Sequence, residues 1–314
     1  MYPIICDLGL VKIGSYGVLL ATAFFTAFLL ANREFKKNGL SIELAWDLHF
    51  LALFGGLVGS KLMFVIEEFD VFLASPLDAL FGGAGFSVLG GYLLAFILCW
   101  HRLRKEKTPF FVFADVYSPA LAWGYAIGRL GCIMAGDGCY GLPTKLPWGM
   151  NFPNGIVSTL SEKNSMLTAL FRKMFPGEDI PADITVHPTP LYESISSLIL
   201  LAVLMNKKWR IGKGQRSAFF LIWFGGSRFF VEFIRLNPKV FMGLSSSQLT
   251  AIAFVIAGVV IAMTANKREE YVSELATETS DSQEAQEAQK AVDVQQNKDS
   301  QPALGKKKFK KKKR

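Results

Sequence analysis

Seven apolar stretches constrain the fold of this chain more than any other feature of its sequence. They lie at about 13–31, 45–66, 86–100, 110–134, 188–205, 217–234 and 244–265. A helix of about 17–25 apolar residues crosses the hydrocarbon core of a bilayer. Because lipid offers the backbone no hydrogen bonds, such a segment must satisfy its own polar groups. We therefore predict an all-α, polytopic membrane protein with about seven transmembrane helices, the second of them interrupted by His49 and Lys61.

Clusters of lysine and arginine predict the orientation. They follow the first, third and fifth stretches at 33–37, 102–105 and 207–216, and Lys267 and Arg268 follow the seventh. Seven crossings put all four on one side, which the enrichment of basic residues in cytoplasmic loops identifies as the cytoplasm. The amino terminus is then outside and the carboxyl terminus inside. Because the basic excess lies in loops and in the tail, we predict no nucleic-acid partner.

The spans define a membrane domain at 1–265 with an exterior segment at 136–187. In that segment, residues at helical spacing predict a helix at 161–175 with Ser161 as its cap; they are Met166, Leu167, Leu170, Phe171, Met174 and Phe175. The helix either lies in the head-group layer or packs on its own segment. Residues 266–314 are polar and end in a polybasic run, a composition that predicts a disordered cytoplasmic tail. The tail either binds anionic membrane lipid or only solubilises the chain.

The stretch at 123–150 predicts a polar pocket at one membrane face. It carries Arg129 within an apolar span, at a cost of roughly 2.5–3.5 kcal/mol on insertion scales unless the charge faces a partner or a cavity. It then breaks into glycines around Asp137. Irregular backbone at that depth requires protein or a cavity to satisfy its polar groups.

With the orientation fixed, other polar residues fall at the same outer face. His187, Tyr192 and Glu193 open the fifth span, and Arg228, Glu232 and Arg235 share one face of the sixth. Tyr16 and Lys61 lie toward the outer ends of the first two spans. Three arginines beside carboxylates favour binding of a phosphate head group.

Each residue taken alone also has a structural interpretation. Arg228 and Glu232 could be a pair that holds two helices together, and His187 could be a helix-start residue in a turn. Tyr192 could be a belt tyrosine at the interface, and Asp137 could close an Asx-turn. The four cysteines show neither a CxxC spacing nor a histidine cluster, so no metal site is predicted.

Four blocks resemble those of the prolipoprotein diacylglyceryl transferase family. They are Gly128-Arg129-Leu130-Gly131 with its glycine-rich turn to Gly141, Pro147-Trp148-Gly149-Met150, His187-Pro188-Thr189-Pro190-Leu191-Tyr192-Glu193, and the run from Arg228 to Arg235. The resemblance covers roughly 8–265. It implies an inner-membrane enzyme without a cofactor that moves the diacylglyceryl group of phosphatidylglycerol onto the lipobox cysteine of lipoprotein precursors. A thioether forms and glycerol phosphate leaves.

The resemblance also implies roles for single residues. Arg129 and Arg228 are similar to residues that hold the phosphatidylglycerol head, to which we add Arg235 and Tyr192. Glu232 and Tyr16 match a glutamate and a first-helix tyrosine of the family's site. Candidate catalytic residues are thus His187, Asp137, Tyr16 and Glu232, of which His187, Asp137 or Tyr16 would help to deprotonate the acceptor thiol.

The sequence departs from the family at three positions. Leu89 stands where the family has the histidine of a His-Gly-Gly block, Cys132 where it has an asparagine, and Pro190 where it has a glutamine. These changes are also compatible with a second interpretation, in which the chain is a divergent paralogue that binds phospholipid or uses another acceptor. A transporter is the least favoured alternative, because the inner halves of spans four and six carry few charges. Cys132 and Cys139 either pack as small apolar residues or form a disulfide or a covalent intermediate.

Overall fold

The computed structural model describes residues 2–7, 12–81, 85–206 and 209–265, and these are mainly helical. The chain starts with a short antiparallel ribbon of β1 (Ile4–Asp7) and β2 (Lys12–Gly14), in which Cys6 lies opposite Ile13. The first helix begins only after this ribbon, at Ser15. A helix start at residue 13 was therefore wrong, because Ile13 is paired in the ribbon.

The described residues contain ten α-helices. These are α1 (Ser15–Lys37), α2 (Ile42–Glu67), α3 (Phe69–Ala74), α4 (Pro76–Phe81), α5 (Val88–Lys105), α6 (Phe110–Ala135), α7 (Ser165–Met174), α8 (Thr189–Leu204), α9 (Gln215–Val231) and α10 (Ser246–Met263). A 3-10 turn, Glu232–Ile234, continues α9. The short helices α3 and α4 had no counterpart in the sequence prediction.

Five of the described helices are long and apolar enough to cross a membrane: α1, α2, α6, α10 and α9 with its 3-10 turn. The other two predicted spans correspond to α8, which is apolar but has only 16 residues, and to α5. The last turn of α5 carries Arg102, Arg104 and Lys105. The prediction of an all-α, multi-pass membrane protein is confirmed, and all seven predicted stretches are helical.

The long helices pack as neighbouring pairs. Helix α1 lies against α6, α2 against α5 and α9 against α10, while α8 packs on both α6 and α9. Glycines bring α2 and α5 close together. A Cβ added at Gly59 would lie 2.3 Å from the carbonyl oxygen of Gly90, and one at Gly55 would lie 2.7 Å from the Cα of Ala95. Small residues at such crossings let two helix backbones approach within a membrane.

Replacing Gly59 by alanine should separate α2 from α5. The new methyl would meet the backbone of Gly90, which cannot rotate away, so we expect a loss of about 1–3 kcal/mol of stability. Gly56→Ala is the matched control, because a Cβ there meets no atom within 4 Å. Thermal unfolding of the two variants in detergent measures the difference. Equal melting temperatures would show that the α2–α5 contact tolerates a methyl group.

The segment between α6 and α8 has a small core of its own. Its buried residues are Tyr140, Phe152, Leu167, Phe171, Ile184 and Val186. Helix α7 contributes Leu167 and Phe171 to this core, while Met166 and Met174 are exposed. The cap predicted at Ser161 was wrong, because the side chain of Asn164 accepts the N–H of Leu167 at 3.0 Å and the helix starts at Ser165. The predictions for 266–314, and for the clusters at Lys207–Lys208 and Lys267–Arg268, lie outside the described residues.

Candidate active site

Three arginines from two distant parts of the chain converge on one buried carboxylate, Glu193 of α8. Arg129 Nε lies 3.0 Å from Glu193 Oε2, Arg228 Nη1 contacts Oε1, and Arg235 Nη1 lies 3.5 Å from Oε2. The Glu193 side chain is 2% exposed, so the ion pairs form with little screening by water. We name the three arginines together with Glu193 and Glu232, which pairs with Arg228 and Arg235, the arginine cluster.

Helix periodicity builds one half of the arginine cluster. Arg228 lies one turn before Glu232, with Nη2 at 3.3 Å from Oε2, and Arg235 follows three residues later with Nε at 3.7 Å from the same atom. The 3-10 turn at Glu232–Ile234 tightens the end of α9 and keeps these side chains on one side. Residues three and four apart on a helix are neighbours, as the sequence analysis assumed.

Neutral groups complete the surroundings of both carboxylates. Tyr125 Oη donates to Glu193 Oε1 at 2.9 Å and accepts from Arg129 Nη2 at 2.9 Å. Ser245 Oγ donates to Glu232 Oε1 at 2.8 Å, and Asn237 Nδ2 donates to the same oxygen. Because Glu232 is fully buried, these bonds replace the water that its charge would otherwise bind.

Arg235 is held less tightly by the two glutamates than the other two arginines of the cluster are. Its contacts with the two glutamates, at 3.5 and 3.7 Å, are longer than hydrogen bonds, and its Nε and Nη1 make no hydrogen bond within the described part of the chain. Three guanidinium groups against two carboxylates leave one net positive charge on the cluster. The arrangement therefore favours an anion that accepts from arginine forks.

The turn after α6 holds the second group of predicted residues beside this cluster. Gly136 ends α6 in the left-handed region, and a side chain there would meet Gly155. Asp137 Oδ1 accepts the N–H of Cys139 at 3.0 Å, the Asx-turn that the sequence left open. Gly141 donates to the carbonyl of His187 at 2.8 Å, and Leu142 donates to that of Ile234 at 2.8 Å. These bonds tie the turn to the segments that carry His187 and Arg235.

His187 and Tyr192 form a pair next to this turn. Tyr192 Oη lies 3.2 Å from His187 Nδ1 and accepts from Trp148 Nε1 at 2.9 Å. Partial burial lowers the pKa of His187 below its usual value, because desolvation disfavours the imidazolium form. His187 is thus neutral at neutral pH and able to accept a proton.

Two other predicted residues lie at the edges of the site. The Tyr16 ring packs against Gly131 of α6, close to the arginine of that helix, and is 42% exposed. Lys61 Nζ donates to the carbonyl of Ala79 at 3.0 Å and lies over the ring of Phe86 at 4.2 Å. The partly exposed ring of Tyr16 therefore lies next to the helix that carries Arg129, whereas the described contacts of Lys61 lie with Phe64 of α2, with α4 and with Phe86 just before α5.

The structure also gathers residues that the sequence did not single out. Glu193 was noted at the start of the fifth span but given no role, although it is the centre of the cluster, and Tyr125 was not noticed. One signal could have found Glu193: an arginine buried in an apolar span needs a carboxylate partner. The ligand atoms of Cys132, Asp137 and Cys139 lie within 4.8 Å of one another. Their sequence spacing had not predicted this cluster of metal-binding side chains.

Known proteins match this chain over almost all of residues 1–265. A sequence profile described as "Prolipoprotein diacylglyceryl transferase" matches residues 3–264. Three relatives bear the name phosphatidylglycerol–prolipoprotein diacylglyceryl transferase. That of Clostridium tetani is 27% identical and covers 83% of this chain and 96% of its own length. That of Finegoldia magna is 30% identical and covers 78% of this chain and 88% of its own length. That of Vibrio campbellii is 30% identical and covers 88% of this chain and 95% of its own length. A match of this extent at this identity shows that the chain is a membrane transferase and belongs to the prolipoprotein diacylglyceryl transferase family.

Proposed function

We propose that this chain transfers the diacylglyceryl group of phosphatidylglycerol to the lipobox cysteine of a lipoprotein precursor. The acceptor sulfur attacks the glyceryl carbon that carries the phosphate. The carbon–oxygen bond breaks, a thioether forms and glycerol phosphate leaves. The observation that carries the proposal is the arginine cluster, in which three guanidinium groups face two buried glutamates and leave one net positive charge.

The arginine cluster would bind the phosphate head group and stabilise the leaving group. Arg129, Arg228 and Arg235 supply fork-shaped donors that match phosphate oxygens. Negative charge grows on the departing phosphate as the carbon–oxygen bond breaks, and fixed positive charges in a dry site stabilise it without reorganisation. Glu193 and Glu232 hold the guanidinium groups in place before the lipid arrives. Tyr192, near the same face, would contact the head group from α8.

Deprotonation of the acceptor thiol needs a base. A cysteine thiol with a pKa of about 8.5 attacks as its thiolate. His187 suits this role best, because it is neutral and, in the tautomer whose Nδ1–H donates to Tyr192 Oη, Nε2 is free to take the proton. Asp137 and Tyr16 are weaker candidates for the base. One oxygen of Asp137 already accepts the N–H of Cys139, and Tyr16 lies at the edge of the site with its side chain 42% exposed. The histidine position of the family offers no base, because it holds Leu89, whose side chain has no group that accepts a proton.

The acidic limb of the pH–rate profile should report on His187. Since its pKa lies below about 6.5, we expect wild type to exceed His187→Gln by about 10–100-fold above pH 6.5. The ratio should shrink at lower pH as the imidazole is protonated. Taking the ratio cancels the titration of the acceptor thiol, which both enzymes share. His101→Gln, a substitution of an exposed histidine in the last turns of α5, should leave the rate unchanged. A ratio near one at every pH would remove His187 from the proton transfer.

The setting is the bacterial inner membrane, with the site toward the outer leaflet. The basic last turns of α1 and α5 support this orientation. Phosphatidylglycerol would enter from the lipid and the precursor from the outer face. We treat 1–265 as the catalytic domain, with 136–187 outside and 266–314 as a cytoplasmic tail that either binds anionic lipid or only solubilises the chain. Reporter fusions within 136–187 that are active only in the cytosol would contradict this orientation.

Transfer itself is tested with labelled phosphatidylglycerol and a lipobox peptide. Membranes containing the protein should yield a labelled thioether, and Arg129→Ala and Arg228→Ala should each lower the rate by at least roughly 100-fold. Arg102→Ala is the control, because that arginine pairs with Asp47 and Glu106 on the protein surface, outside the site. Full activity of both site variants would remove the head-group role.

Leu89 supports a second candidate function, a paralogue that binds anionic phospholipid without lipoprotein modification. This candidate predicts retention of labelled phosphatidylglycerol by wild type and loss of retention in Arg129→Ala. It also predicts no thioether product, and no growth of a strain whose own transferase has been depleted.

A further inference from the structure

Two thiols lie beside the arginine cluster, and the chemistry proposed above does not use them. Cys132 is buried in the last turns of α6, and Cys139 is partly exposed in the turn that follows. Their sulfur atoms are within 4.8 Å of each other. Arg129 Nη1 lies 3.8 Å from Cys132 Sγ, so the pair touches a residue of the cluster.

We propose that Cys132 and Cys139 form a redox pair that closes as a disulfide at the edge of the phosphate-binding arginines. This rests on the proposed function, which puts the pair outside the cytoplasm, where disulfides form and persist. A disulfide needs the sulfur atoms at about 2.05 Å. The partner that moves on closure is Cys139, since it lies in the turn outside α6. Cys132 stays fixed in α6.

The surrounding charges favour thiol chemistry over a metal site. A hydrogen bond from Cys132 and the positive charges of Arg235 and Arg129 lower the pKa of Cys139, against the opposing effects of burial and Asp137. A thiolate is the form that attacks a disulfide. The same arginines repel a divalent cation, although Asp137 would offer it a third ligand.

The oxidation balances with a disulfide as the oxidant, either a small-molecule disulfide or a thiol–disulfide oxidoreductase. The Cys139 thiolate attacks one sulfur of the oxidant and forms a mixed disulfide, and the first thiol leaves. Cys132 loses its proton and attacks Cys139 Sγ, and the second thiol leaves. The protein thus gives up two protons and two electrons, and the oxidant becomes two thiols.

Closure would change the arginine cluster. Arg129 Nη1 donates to Cys132 Sγ at 3.8 Å, and because a disulfide sulfur accepts hydrogen bonds more weakly than a free thiol sulfur, closure leaves this donor for the lipid phosphate. The oxidised enzyme should therefore bind phosphatidylglycerol more tightly, with a KM roughly threefold lower than that of the reduced enzyme.

Thiol labelling tests the pair without any activity. The Cys6→Ser/Cys99→Ser double variant, in membranes, retains only the two cysteines of interest. It is treated with oxidised glutathione, blocked with N-ethylmaleimide in detergent, reduced with a phosphine and labelled with maleimide-polyethylene glycol. We expect two labels per chain after reduction and none without it. Adding Cys132→Ser should remove the intramolecular disulfide, whereas adding Asp137→Asn should leave it intact.

Two results would overturn the proposal. One is the absence of label after oxidation and reduction, which would mean that both thiols stayed free. The other is protection from N-ethylmaleimide that is lifted by a chelator instead of a reductant, since that is the behaviour of a bound metal. A KM that is the same before and after reduction, in an enzyme that labels as expected, would refute only the effect on lipid binding. No product in any redox state, with correct labelling, would refute the proposed function and leave the disulfide.

Discussion

Glutamine in place of Glu193 should lower kcat by roughly 100–1000-fold while changing KM for phosphatidylglycerol little. Glu193 contacts Arg129, Arg228 and Arg235, and the amide would remove the charge that holds them at fixed separations. A bound phosphate can still attract the arginines, so ground-state binding survives. The preorganised field at the leaving group is lost, and that loss appears in kcat.

Steady-state kinetics on Glu193→Gln, Glu193→Asp and Glu178→Gln separate this role from a general loss of folding. Glu178 pairs with Lys145 and both side chains are about half exposed, so its amide variant should behave as wild type. Aspartate keeps the charge and should recover part of kcat. Because removal of a buried partner can cost about 3–5 kcal/mol, each rate is normalised to the fraction that elutes as folded monodisperse protein. A kcat unchanged in Glu193→Gln would exclude the positioning role.

The fold was largely predictable because the length and apolar composition of a segment identify a membrane helix in the sequence. Each predicted stretch became a helix, since lipid leaves the backbone no other way to satisfy its polar groups. The elements that were predicted wrongly or not at all lie outside the apolar stretches or at the very start of one, where the lipid does not impose a helix. The ribbon that contains Ile13 has only seven residues in its two strands, and α3 and α4 have six residues each. Such elements are decided by tertiary contacts that carry no periodic signal.

The site was predictable only where its parts are close in sequence. Arg228 and Glu232 are one turn apart and Arg235 follows the 3-10 turn directly, so their spacing of four and three residues already placed them together. Arg129 and Glu193 are 64 positions apart on different helices, and no local pattern links them. Cys132 and Cys139 are close in sequence, yet the sequence left their pairing open, because their approach depends on the left-handed Gly136 that ends α6.

At the other end of the bundle, Asp115 of α6 binds the start of α9. One carboxylate oxygen accepts from the N–H groups of Gly212 and Gly214 at 3.0 and 2.9 Å, and the other accepts from the N–H and hydroxyl of Ser217 at 2.8 and 3.0 Å. The carboxylate thus satisfies N–H groups that the first turn of a helix leaves without partners. Arg216 adds a buried pair with Glu34 of α1 at 2.6 Å. Together these contacts join α1, α6 and α9.

The substitution Asp115→Asn should therefore destabilise the fold without changing the transfer rate of the folded protein. Its NH₂ group would face backbone N–H donors and leave them unsatisfied, at a cost of about 2–4 kcal/mol. Asp47→Asn is the matched control, because that side chain is 48% exposed and its loss should cost less than about 1 kcal/mol. Ser217→Ala removes one donor and should fall between the two. Unfolding in detergent measures the series.

Turnover per folded molecule distinguishes this role from a catalytic one. Asp115 precedes Arg129 by 14 positions on the same helix, which at 1.5 Å per residue puts their backbones about 21 Å apart. We expect the folded fraction of Asp115→Asn to transfer lipid at the wild-type rate, because the arginine cluster depends on contacts at the other end of α6. A rate that falls while stability stays at the wild-type value would mean that Asp115 acts on the site through α6 or α9.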